Sequence, residues 1–310
     1  MNNTPNTVDK KILKVVSNID LSKLKGAYNI RKNGKLLVRN TTPNIDIVSK
    51  KDKDGIDIII KENTKNESVH IPVILEKEGI KDLVYNDFHI GENADVTIIA
   101  GCGIHNESHK TSEHDGIHTF YVKKGAKVKY IENHYGEGNE NAKNVLNPTT
   151  VIYLEEGASL EMESLQIQGV TSTIRVTKAY LKEDSNLVIK EKIMTAEAQE
   201  AKTEFYVELN GENSSTHVIS RSIAKDESKQ EFYSNIQGNT KCFAHVECDA
   251  IIMDKAKVSA IPRIDANDIN ANLVHEAAIG KIAGEQLIKL MSLGLTEKQA
   301  EKEIINGFLK

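Results

Sequence analysis

From residue 26 to residue 274 the chain alternates apolar and polar residues with a period of two, in short runs broken by Gly, Asn, Asp and Ser. That is the signature of half-buried strands. Between residues 91 and 258 the runs become a recurring unit, in which a turn is followed by a small residue and then an alternating strand. GENADVTIIAG, KGAKVKYIENH and EGASLEMESLQ place the small residue at Ala94, Ala126 and Ala158, 32 apart each time. KEDSNLVIKEK, NGENSSTHVIS, QGNTKCFAHVE and MDKAKVSAI read as degraded copies at closer spacing. A loose repeat of this length predicts a mainly β solenoid, because one rung alone has no partner for its apolar face and must stack on the next. The natural form is a parallel β-helix. A β-sandwich is the competing architecture, since short strands punctuated by turns also build that fold.

The flanks are helical. Ile12, Val15, Val16, Ile19, Leu21 and Leu24 predict a short amphipathic helix and lead-in over residues 1–25, expected to dock on the end of the solenoid. Over residues 275–310, Leu287, Leu290 and Met291 share a helical face and Gly294 is placed to end that helix. Thr296 and Gln299 form a capping box for a second helix whose apolar face is Ala300, Ile304 and Phe308. Between residues 26 and 91 the strands carry Asn-Gly and Asp-Gly turn signals, but their pairing is open.

Composition narrows the function classes. Trp is absent and aromatics make up 5% of the chain, so the interior is layered aliphatic side chains. A net charge of −5 gives no basic footprint for nucleic acid. The polar start MNNTPNTVDKK predicts neither a signal peptide nor a membrane span, and three cysteines make no disulfide framework, so a reducing, cytoplasmic setting is expected. No GxxxxGK[ST] loop or GxSxG elbow occurs, so any ATP dependence must come from a partner.

The chemistry-bearing stretch is residues 247–276, which sets Cys248, a strand-like run and the pair His275–Glu276 in series. Thiolate, imidazole and carboxylate together suit iron better than a structural zinc site. In KCFAHVEC a strand puts Cys242, Ala244, Val246 and Cys248 on one face and Phe243, His245 and Glu247 on the other. On a regular strand His275 and Glu276 also point to opposite faces, so both ligate one iron only where the backbone bends. His105, His109, His114 and His118, with His134, allow a cupin-like metal reading. The glutamate and second His motif of a cupin are missing, so His118 is read as a rung residue and the others as loop decoration.

The CDA triplet at Cys248, the HEAAIGKIAGEQLIKLMSLGL segment from His275 and the short acidic helix after it resemble the C-terminal signature of the SufB/SufD scaffolds of the SUF iron–sulfur cluster assembly machinery. GIHTFYV and NPTT extend the likeness to mid-chain. The resemblance implies a right-handed parallel β-helix with a C-terminal helical domain that binds the ATPase subunit SufC. It implies a non-catalytic scaffold with Cys248, Glu276 and, as a possible partner, His275 holding a transient cluster, expected to be 4Fe-4S. Ala250 stands where the SufD branch is expected to carry histidine, and the HEA triplet follows the SufB branch. The expected form is therefore compact and SufB-like, without the long N-terminal helical region of longer SufB proteins. A four-iron cluster needs about four protein ligands. A homodimer joined through the C-terminal part of the β-helix, each chain giving Cys248 and Glu276, would supply them. Cys102 is a conceivable sulfur acceptor that relays toward Cys248. The rival functions are a cupin-like metal protein, a β-helical carbohydrate-active enzyme and a purely structural interaction solenoid.

Overall fold

The computed structural model of the protein describes residues 6–18, 24–139 and 141–309. Two long sheets run side by side. The first sheet orders the strands Lys35–Asn40, Ala27–Lys32, Lys65–Leu75, Asp95–Asn106, Lys127–Gly138, Ser159–Gln168, Asn186–Thr195, Ser215–Ala224, Phe243–Ile252 and Asn272–Gly280. The second begins with Ile45–Ser49 and Gly55–Ile60 and continues through Lys81–Ile90 and Thr111–Val122. Lys143–Leu146 and Thr149–Leu154 together fill its next position, ahead of Ser172–Leu181, Glu200–Leu209, Lys229–Gly238 and Lys257–Ala266. The chain alternates between the sheets, so every turn of the coil adds one strand to each. From Lys65 onward the described pairs are parallel, which excludes an antiparallel sandwich and, with it, a cupin barrel. Among the described residues only the N-terminal pairs Ala27–Lys32 with Lys35–Asn40 and Ile45–Ser49 with Gly55–Ile60 are antiparallel.

The 32-residue spacing is the register itself: Asp95 pairs with Lys127, and Lys127 with Ser159. Later rungs shorten, Ser159 pairing with Asn186, Asn186 with Ser215, Ser215 with Phe243 and Phe243 with Asn272. Ala94, Ala126, Ala158, Ser185, Ser214 and Cys242 therefore occupy one inward column at the strand starts, all of them buried. Only small side chains fit there. Of the preceding residues, Asn93, Gly125, Gly157, Asp184 and Asn213 have φ between 53° and 65°, which explains why these five resets are Asn, Asp or Gly; Lys241, before Cys242, is not in this conformation. The copy MDKAKVSAI belongs to the other sheet, where its strand Lys257–Ala266 pairs with Lys229–Gly238. Stacking repeats outside as well as in. His89, Tyr121, Tyr153 and Tyr180 form an external ring ladder at 5.1, 5.5 and 5.1 Å, while Phe88 and Phe120 stack inside at 4.3 Å.

Helix α1 (Thr7–Ser17) does not dock on the end of the solenoid. It lies against the outer face of the first sheet, burying Ile12, Leu13 and Val16 against Ile30 and Ile74. The physical reason is a flat spot. Gly101 and Gly103 point outward there, and a Cβ at Gly103 would stand 2.2 Å from Ile12 Cγ2. Ile19 and Leu21, part of the same sequence pattern, lie outside the described residues. At the other end the strand Asn272–Gly280 runs past the expected boundary at 275, because NLVHEAAIG keeps the inward–outward alternation of FAHVECDAI and pairs with it throughout. The helices follow as α2 (Gly284–Ser292) and α3 (Glu297–Phe308). Thr296 and Gln299 form the expected capping box. Helix α3 buries Ala300 and Ile305, the latter with Ile223 and Ile251 of the solenoid, whereas α2 buries no residue.

Candidate functional site

Parallel stacking turns a residue position into a column, and one inward column of the first sheet is polar. Ala100, Glu132, Ser164, Glu191, Ser220 and Cys248 are successive register partners, all buried. Arg175, from the second sheet, reaches between two of them: it donates to Glu132, sits 3.4 Å from Glu191 through Nε, and donates at 3.0 Å to His134 Nδ1. Glu132 also accepts from Tyr130 at 2.9 Å, and Glu191 from Ser220 at 3.0 Å and Thr203 at 3.1 Å. The hydroxyl of Tyr130 is 2.6 Å from His118 Nδ1. Buried ions survive only when paired and hydrogen-bonded, and here each carboxylate has several partners.

The electrostatics follow from this placement. Burial raises the Glu132 carboxyl, but His134, Arg175 and His118 outweigh it and hold the group down at about 2. Glu191 ends on the other side of its ordinary value although the same guanidinium faces it: burial wins, because Arg175 is committed to Glu132 by a hydrogen bond. Burial pushes His118 down to about 4 and His134 to about 3, so both are neutral at physiological pH. That is consistent with His134 Nδ1 accepting from Arg175.

His118 is the expected rung residue, whereas His114, expected to decorate a loop, joins it on the same strand. His114 and His118 both face inward from the strand Thr111–Val122. With His134, Glu132, Asn86 and Cys102 they line a small internal cavity of about 20 Å³, room for about one water-sized group. His114 Nδ1 is 2.9 Å from Asp82, itself paired with Arg31 at 3.0 Å. His105 stays outside, near Glu107 and Glu137. The sequence offered a four-residue spacing for His114 and His118. Nothing in it pointed to Arg175 or Glu191, which meet only through rung stacking.

At the C-terminal end of the file the strand reading of KCFAHVEC holds. Cys242, Ala244, Val246 and Cys248 face in, and Phe243, His245 and Glu247 face out. Cys248 is 1% exposed, and burial, with Glu191 and Asp249 nearby, pushes its thiol up to about 12. It is a protonated thiol in this arrangement, neither a nucleophile nor a metal ligand until something uncovers it or a cation replaces its proton. The neighbouring strand brings Ala277 opposite Cys248, His275 opposite Val246 and Glu276 opposite Glu247. No backbone bend intervenes. His275 therefore shares the inner face with Cys248, both its ring nitrogens buried and without a hydrogen-bond partner, while Glu276 points outward toward His245. The structure groups Cys248 with His275 and places Glu276 on the opposite face of the same sheet.

Among the described residues no helix is long and apolar enough to cross a membrane. Residues 83–308 match the family profile described as "SUF system FeS cluster assembly, SufBD core domain". The chain is 31% identical over 247 residues to an iron–sulfur cluster assembly SufBD family protein of Archaeoglobus fulgidus, covering 78% of this chain and 65% of that one. It is 27% identical to a relative of the same description from Methanocaldococcus jannaschii, over 85% of this chain and 84% of the relative. The iron–sulfur cluster assembly protein SufB of Bacillus subtilis is 30% identical over 71% of this chain and 47% of its own length. The chain thus spans 65% of the Archaeoglobus fulgidus relative and 56% of those from Methanothermobacter thermautotrophicus. A solenoid whose polar interior ends at Cys248, matched by this profile over most of its length, belongs to the SufBD family of iron–sulfur cluster assembly proteins.

Proposed function

We propose that the chain is a scaffold on which an iron–sulfur cluster is built as cargo and released, with Cys248, His275 and Glu276 as its ligands. The observation that carries this is the pairing of a buried thiol with an unpartnered buried imidazole in the last rungs of a solenoid from this family. His275 and Glu276 both lie on the terminal strand Asn272–Gly280, the last of its sheet. Displacing that strand from Phe243–Ile252 uncovers Cys248 and frees both side chains to turn toward it. A cluster held partly by nitrogen and oxygen is held loosely, which suits transfer.

The free end also supports the expected homodimer. Ile261, Ile264, Val274 and Ile279 are exposed on the last two strands, whose outer edges pair with no other strand among the described residues. Helix α2 and its C-cap offer a second unpartnered surface, with Ile288 and Met291 of the helix and Leu293 just past it exposed beside an α3 that is anchored to the solenoid. We assign it to the ABC-type ATPase SufC, whose ATP-driven dimerisation would pull on the terminal strand and shift a two-state interface. Cys102, which lines the internal cavity beside Glu132 and His134, belongs to the same reading as a sulfur acceptor.

The test is anaerobic reconstitution with ferric iron, a thiol reductant and sulfide, read by visible absorption. Cys248→Ala and His275→Ala should keep the fold and SufC binding and lose the cluster spectrum. A wild-type spectrum in both overturns the scaffold assignment. Normal cluster assembly by Cys102→Ala removes Cys102 from the path.

A further inference from the structure

The outer face of the first sheet carries a second constellation, separated from Cys248 by the sheet itself. His217 and His245 are register partners on adjacent strands, and their rings stack with centroids 5.0 Å apart and planes 10° from parallel. Glu247, two residues beyond His245 on the same face, places Oε1 2.9 Å from His217 Nε2 and 3.5 Å from His245 Nδ1. One donor atom from each of the three lies within 4.8 Å of the others. Ligands of a tetrahedral ion bound at about 2.0–2.1 Å stand roughly 3.3 Å apart, so the set closes when the two stacked rings tilt toward a common point beside Glu247.

We propose that His217, His245 and Glu247 form a binding site for a divalent first-row transition metal, the class that includes zinc and ferrous iron. Two imidazoles and one carboxylate are the donors that such ions take, and hard ions such as magnesium or calcium prefer all-oxygen sets. The side chains are 37%, 23% and 27% exposed, so an ion can enter from solvent and keep open coordination positions. Strands inside a ten-stranded sheet hold the three in place. The nitrogen of His245 on the far side from Glu247 gives the second sign. His245 Nε2 is buried without a hydrogen-bond partner, and a carboxylate oxygen of Glu276 lies 3.5 Å away. With Nδ1 on the metal, Nε2–H turns to Glu276, the carboxylate–histidine–metal arrangement that fixes the tautomer and strengthens the ligand. Glu276 is then a positioning residue for this site.

The site shares only Glu276 with the scaffold reading, its three ligands are separate from it, and the experiment tells the two apart. The full chain, stripped with EDTA, is titrated with zinc and, without oxygen, with ferrous iron by calorimetry; cobalt(II) reports the donor atoms by absorption. Wild type and Cys248→Ala should each take up one equivalent and show cobalt bands without a sulfur-to-metal charge-transfer feature. His217→Ala and Glu247→Gln should bind roughly tenfold more weakly or not at all, and Glu276→Gln should weaken binding by about tenfold with the stoichiometry kept. Unchanged far-ultraviolet dichroism shows that these surface variants fold. No stoichiometric uptake by wild type overturns the site, as does equal uptake by Glu247→Gln. Uptake lost in Cys248→Ala but kept in Glu247→Gln also overturns it and moves the metal to the thiol.

Discussion

The two ends of the solenoid meet solvent differently. At the N-terminal end the chain folds back on itself in antiparallel pairs, α1 lies on the outer face nearby, and inward residues such as Ala27, Ile45 and Ile47 are at most 3% exposed. At the C-terminal end the last strand of each sheet has no antiparallel partner folded back on it among the described residues, and the inward Ile264 and Ile279 are about as exposed as surface residues, at 40% and 39%. The first end is closed by its own sequence, and the second exposes apolar side chains that on the proposed reading a second copy covers. Along the interior the same gradient runs from charge to neutrality: ions and histidines around Glu132 and Arg175, then Ser220 and Cys248. A fixed ion network stiffens the middle of the solenoid, and at the neutral end the backbone ladder between Phe243–Ile252 and Asn272–Gly280, with no buried ion pair beside it, is what opening must break.

Breaking the middle should have the largest effect. Arg175→Ala leaves Glu132 and Glu191 buried without their cation, and a loss of about 3–5 kcal/mol in urea unfolding is expected; Arg175→Met should lose nearly as much, whereas Cys248→Ala should change stability far less. Acid should then act on the same region. His118 and His134 are neutral when folded but charge below about pH 6.5 when unfolded, so stability falls as pH drops from 6.5 toward 4, by on the order of 3 kcal/mol for each. Glu132 extends the fall from about 4.5 down to 2, since its carboxylate is favoured in the fold. Unfolding at stepped pH should show this slope, and His118→Asn should flatten it between pH 6.5 and 4.

At the N-terminal side, Gly103→Val drives a side chain into Ile12 and should lift α1, lowering unfolding free energy by about 1–3 kcal/mol with the solenoid still formed. The mildest change belongs to the open end. Ile264→Lys with Ile279→Lys should leave monomer stability within about 0.5 kcal/mol of wild type while weakening self-association in sedimentation velocity. A large stability loss there would show that the end is already packed within one chain, and the contrast between the ends would fail.

Much of the architecture was legible in the sequence because a solenoid writes its period into the chain. The interval between Ala94, Ala126 and Ala158 is the strand register, and the capping box at Thr296 forms as its residues demand. Helix α1 was visible, but not where it docks: a helix with one apolar stripe packs on any flat apolar surface, and Gly101 and Gly103 made one on the sheet. Strand alternation likewise separated Cys242 and Cys248 from His245 and Glu247, and His275 from Glu276.

What the sequence by itself determined is therefore the rung: which residues face in, which face out, and where each turn resets. Those are local consequences of a two-residue period and of left-handed turn residues. Only the tertiary structure decided which rung-mates meet. Arg175 reaches Glu132 and Glu191, 43 and 16 positions away, and His217 reaches Glu247, 30 positions away. The reason is that contact across a stack depends on rung length, and this changes from 32 residues to 27–29 partway along the chain. A slip of one residue in any turn would move each inward side chain to the outer face.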